Sequence, residues 1–118
     1  MSRPKILCVS YDEAVSRYRR ESLTAAGYDV VAIVDAKEAA RSLDEEQFDL
    51  LLLGHRFTKQ QKRDLMLLAR KRQPLPVLLV CGDSADADLE VAGRVYALQG
   101  MEGLLAGIAR LLPVRTAA

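Results

Sequence analysis

The side chains able to do chemistry in this chain lie where apolar runs end. His55, the single histidine, follows DLLLLG; Cys8 and Cys81 sit inside KILCV and VLLVC; Ser10, Tyr11 and Asp12 follow the first run; Asp83, Asp86 and Asp88 stand in GDSADADLE. As a phosphoacceptor or metal ligand His55 needs supporting carboxylates or cysteines, and its neighbours in sequence supply none. The plainer reading is a loop residue whose ring packs beside Phe57. Cys81 as a reactive thiol needs a cation to lower its pKa, and none is adjacent, so a buried apolar role is expected. The three aspartates lack the glycine and the closing glutamate of a calcium loop. They fit a solvated turn in which Ser84 or Asp86 caps a short helix.

Two basic clusters complete the inventory: Arg17, Arg19 and Arg20, then Lys59, Lys62, Arg63, Arg70, Lys71 and Arg72. They read as solvated faces balanced by acids elsewhere, the alternative being an acidic partner held by Arg70 and Arg72. Across 118 residues, 17 Lys plus Arg face 16 Asp plus Glu, for a net charge of +1. Such a balance favours neither nucleic acid nor a membrane surface as partner. The longest apolar run falls short of the roughly 20 residues a membrane span requires, and no basic leader opens the chain, so a cytoplasmic protein is expected. At 50% hydrophobic residues, one domain can bury a core without metal or disulfide support. The expected domain spans 1–118, with its core over about 3–112 and a tail from 113 to 118. No cofactor is expected.

The elements that must position these residues alternate between two periods. KILCVS, YDVVAIVD, DLLLL, PVLLVC and RVYAL read as strands, and the unbroken apolar run DLLLL belongs in the middle of a sheet. Between them lie helical patterns. The first carries Val15, Tyr18, Arg19, Ser22, Leu23 and Ala26 at helical spacing, with Asp12 as N-cap and Gly27 as stop. The second, capped by Asp35, has an apolar stripe of Ala39, Ala40 and Leu43. The third turns Leu65, Leu68 and Ala69 inward, and Pro74 and Pro76 bracket its exit. The last, GMEGLLAGIARLL, offers Leu104, Leu105, Ile108, Leu111 and Leu112, and Pro113 ends it. Such alternation predicts an α/β fold, a parallel sheet with helices on both faces and ligands at the carboxyl ends of the strands.

From about Arg3 to Leu112 the chain resembles the receiver domain of bacterial response regulators. The resemblance rests on KILCVSYDEAV, LTAAGYDVVAIVDAKEAARSL, DLLLLGHRF and LPVLLVCGD. It implies a flavodoxin-like sandwich, a five-stranded parallel sheet in the order 2-1-3-4-5. It also implies a phosphorylation pocket: an aspartate nucleophile after the third strand, an acidic pair holding magnesium after the first, a hydroxyl after the fourth and a lysine after the fifth. Here those positions carry Gly54, Ser10 and Tyr11, Cys81, and Ala97 or Leu98. All five have changed, and no lysine occurs after Lys71. Only about 15 residues separate Gly82 from the lysine position, so the helix between the fourth and fifth strands is expected to be truncated, since a helix needs roughly 10 residues or more.

The resemblance therefore implies a stand-alone pseudo-receiver in phosphorelay-type signal transduction. It would not be an enzyme and would act through a protein partner or self-association. The expected contact face carries Leu89, Val91, Tyr96, Met101 and Leu104. Tyr96 takes the place of an aromatic that switches in receivers, and without the phosphate-reporting groups a single rotamer is expected. The alternative is a small-molecule or anion-binding module using the emptied pocket around Ser10, Gly54, His55 and Cys81.

Overall fold

The computed structural model describes residues 3–72, 75–82 and 89–112. Five strands form one parallel sheet in the order β2-β1-β3-β4-β5, namely β1 (Lys5–Val9), β2 (Asp29–Ile33), β3 (Leu50–Leu53), β4 (Val77–Cys81) and β5 (Gly93–Tyr96). β1 pairs with β2 from Lys5 opposite Asp29 and with β3 from Ile6 opposite Leu50. This is the flavodoxin-like order implied by the sequence resemblance.

Alternation along the strands builds two cores. Leu7, Val9, Leu51, Leu53 and Leu79 face α2 (Ala36–Glu45) and α3 (Lys59–Arg72) through Ala39, Leu43, Leu65 and Ala69. Ile6, Cys8, Leu50, Leu52 and Val80 face α1 (Glu13–Ala25) and α4 (Gly100–Leu111) through Leu23, Leu104 and Ile108. A strand covered on both faces has no use for polar alternation, which is why β3 is four leucines.

Local signals set the helix ends. Asp12 Oδ2 accepts from Val15 N at 3.4 Å, and Asp35 Oδ1 from Lys37 N at 3.3 Å, each satisfying a first-turn amide. Gly27, at φ 103°, makes the left-handed exit from α1 that a side chain would resist.

Three expectations are corrected. The last strand stops at Tyr96, and Ala97–Gln99 form a 3₁₀ turn in which Gln99 Oε1 accepts from Tyr96 N at 2.8 Å. Ala97 and Leu98 therefore leave the ladder. Second, Leu89 and Leu104 of the expected contact face are buried, Leu89 packing into the α2 and α3 core and Leu104 into the α1 and α4 core. Third, Lys62 is 2% exposed and not part of a solvated basic face. Residues 89–92 are not helical. Asp83, Ser84, Asp86, Asp88, Pro74, Pro113, the tail and the Arg72 side chain lie outside the described residues, as does most of the segment expected to hold a truncated helix.

One glycine is set by close approach. A Cβ on Gly107 of α4 would come 2.6 Å from Val95 Cγ2 of β5, and Val95 is buried and stiff at χ1. Gly107→Ala gains up to about 1 kcal/mol of helix propensity but adds overpacking of about 1–3 kcal/mol. Urea unfolding should show a net loss of stability; a more stable variant would mean that α4 moves away from the sheet easily.

Candidate functional site

The sheet places Ser10, Gly54 and Gly82 one step past the ends of β1, β3 and β4, with Cys81 closing β4. Two backbone bonds carry the ladder past the strands: Gly54 N donates to Val9 O at 2.8 Å and Ser10 N to Ile33 O at 3.0 Å. Ser10, Gly54 and Cys81, three of the positions singled out by sequence, are thus brought together and buried. Tyr11 lies at their rim, and Ala97 stands exposed in the 3₁₀ turn.

Into this place comes a side chain that sequence reasoning assigned to a solvated face. Arg19 reaches from the second turn of α1, and its Nη1 donates to Ser10 Oγ at 3.1 Å. The same Nη1 lies 3.5 Å from where a Cβ on Gly54 would stand. A guanidinium therefore borders the position at which a receiver carries its nucleophilic carboxylate. The signal in sequence was the spacing of Arg19 with Val15 and Leu23 along one helix face.

Other groups cover the mouth. The Arg56 guanidinium sits over the Tyr11 ring, 4.7 Å from its centroid, a cation–π arrangement. The His55 ring stands over Gly82, with Cδ2 2.8 Å from where a Cβ there would lie. The ring occupies the room left by the absent side chain of Gly82. Asp12 is turned away to cap α1. The described surroundings are thus cationic and aromatic.

Cys8 lies under this layer, its Sγ 3.7 Å from Ser10 Oγ. Burial pushes its thiol above the ordinary value, outweighing the Ser10 hydrogen bond and the Arg19 charge, which pull it down. Neither Cys8 nor Cys81 forms a disulfide, and both are buried. Among the described residues, no group of three His, Cys, Asp or Glu side chains is placed to hold a metal ion. The magnesium ion implied by the resemblance does not fit these donors, since Ser10 and Tyr11 bring no carboxylate and Ser10 Oγ already accepts from a cation.

No family model matches the chain. A curated relative, the uncharacterized transcriptional regulatory protein YcbL of Bacillus subtilis (strain 168), is 27% identical over 82 residues, which are 70% of this chain. The match spans about a third of that relative, 36% of its length. A response regulator receiver protein from Sinorhizobium medicae WSM419 superposes with a TM-score of 0.84 at 21% identity, covering 97% of this chain and 98% of that one. The chemotaxis protein CheY4 of Vibrio cholerae gives 0.82 at 18% identity, over 94% and 100% of the two chains. The response regulator TrrA of Thermotoga maritima, solved in complex with magnesium and beryllofluoride, gives 0.81 at 19% identity, over 92% and 99%. The chain has the receiver fold. No helix among the described residues is long and apolar enough to cross a membrane.

The buried thiols give a direct check on how closed this end of the sheet is. Because the Cys8 thiol is raised, it stays neutral in the folded protein while the unfolded thiol ionises near 9.0. Its contribution to stability is present below that pH and is lost as pH rises above it. Iodoacetamide at pH 8 should label both cysteines slowly in native protein and quickly in urea; rapid native labelling of Cys8 would mean the strand-end pocket opens.

Proposed function

We propose that the chain is a receiver-type domain of two-component signalling that works without phosphorylation of its own, through contact with another protein or with a second copy. One observation carries the reading: the Arg19 guanidinium lies beside Gly54, at the place where the receiver pattern has an aspartate. Phosphoryl transfer to a receiver needs an attacking oxygen and a divalent cation to neutralise the transferring group. Gly54 offers no oxygen, and a fixed cation beside it disfavours a second one.

The relatives supply the setting. TrrA, by its bound magnesium and beryllofluoride, has the pocket this chain would have lost, and YcbL is described as a transcriptional regulatory protein. The contact surface in this reading lies where β5 turns into α4. Tyr96 is half exposed, Met101 is partly exposed and Leu98 is 99% exposed at the tip of the 3₁₀ turn. With Leu89 and Leu104 in the core, Tyr96, Leu98 and Met101 are the apolar groups that a partner can meet. Val91 lies apart from them, before the start of β5 and partly buried against the α2 and α3 side.

Two measurements test the proposal. Mass spectrometry after acetyl phosphate with magnesium, and thermal shift with beryllofluoride and magnesium, should show no adduct and no stabilisation, with TrrA as positive control. Gly54→Asp should remain inert, its carboxylate meeting Arg19 and not a metal. A phosphorylated wild type would overturn the reading. For the contact face, Leu98→Glu should leave stability within about 0.5 kcal/mol, as for an exposed position, while weakening self-association or partner binding by about tenfold or more. Unchanged association would remove this surface from the proposal.

A further inference from the structure

A cavity of about 160 Å³ lies between α1, β5 and α4; Arg19 lines it and Gly54 does not. Val15, Val95 and Met101 give it an apolar wall, Tyr18 and Tyr96 bring it to the surface, and Arg19 supplies its charge. Tyr18 and Tyr96 are 57% and 50% exposed. Tyr18 lies on the face of α1 expected from its spacing, yet it frames an opening and fills no core.

Size and charge define what fits. A cavity of about 150 Å³ with apolar walls accommodates one benzene ring, so this one holds a single ring or a short acyl chain. Arg19 has five guanidinium donors, and Ser10 Oγ takes one of them. Among the described residues no carboxylate pairs with it; Glu46, which pairs with Lys5, lies at the far end of β1. A partly buried guanidinium flanked by apolar walls favours a planar anion, which can accept two parallel N–H bonds.

We propose that this cavity is a binding site for a small carboxylate with an apolar body, such as an aromatic or short branched-chain acid, the carboxylate meeting Arg19 and the body lying between Val15, Val95 and Met101. The site is distinct from the strand-end pocket and does not rest on the absence of phosphorylation. A phosphoryl adduct would overturn that reading and leave this one standing.

Benzoate is the probe, with benzyl alcohol as its uncharged counterpart and inorganic phosphate as the anion without an apolar body. Titration followed by amide chemical shifts should show one saturable benzoate site with a Kd of about 0.1–1 mM, the range open to so small a ligand. Shifts should centre on Val15, Val95 and Met101, and benzyl alcohol should bind at least about tenfold more weakly. Arg19→Met should abolish the preference for benzoate, Arg19→Lys should retain part of it, and Ala97→Phe, at the exposed rim, should block entry while preserving the melting temperature. Absence of saturable binding, equal binding of benzyl alcohol, or affinity unchanged in Arg19→Met would sink the proposal. So would phosphate binding with shifts at Ser10 and Gly54 while benzoate fails, since the anion site would then be the strand-end pocket.

Discussion

Burial of β3 on both faces is the constraint on which the rest of the molecule depends. Leu50, Leu51, Leu52 and Leu53 are each fully shielded, and each contributes about 1.5–3 kcal/mol by leaving water. A strand so placed tolerates no polar side chain along its length. Its two faces also dictate the layers, since the odd leucines need α2 and α3 while the even ones need α1 and α4. Polar chemistry is confined to the carboxyl ends of the strands, where the backbone leaves the ladder and side chains of neighbouring segments converge.

At that edge the charge the structure shows is positive: Gly54 has no side chain, and Arg19 enters the space beside the strand end. Burying part of a guanidinium has a cost that its hydrogen bond to Ser10 Oγ and its partial exposure offset. Asp12 cannot compensate as a counter-ion because it is committed to the first turn of α1. The Arg56–Tyr11 stack and the His55 ring over Gly82 border the same end of the sheet. An arginine placed beside a glycine and one placed beside an aspartate solve different electrostatic problems.

How much the sequence made legible depends on how local each cause is. The alternation of strands and helices, the caps at Asp12 and Asp35 and the exit at Gly27 depend on periodicity and on side chains acting within a few residues, so they could be read directly, whereas the strand order came from the resemblance to receivers. The strand-end positions Ser10, Gly54 and Cys81 could be placed because each closes or succeeds an apolar run. The end of β5 could not, because the bond from Tyr96 N to Gln99 Oε1 competes with the ladder and favours a turn over continued strand. Arg19 and Lys62 were hidden for another reason. Charge type alone suggests solvent, and only the packing of α1 and α3 against the sheet shows that long side chains here run inward along apolar surface.

Arg19 also joins two parts of the molecule that the sequence keeps apart. Its Nη1 belongs to the ends of β1 and β3, while the same residue lines the cavity framed by Tyr96 at the end of β5. In the receiver pattern, the state of the third-strand aspartate is reported to the fifth-strand edge through groups that each respond to phosphate. Here a single side chain touches both places, held at Ser10. A carboxylate bound as proposed would share the guanidinium with that hydrogen bond, so the two ends would be coupled through one charge.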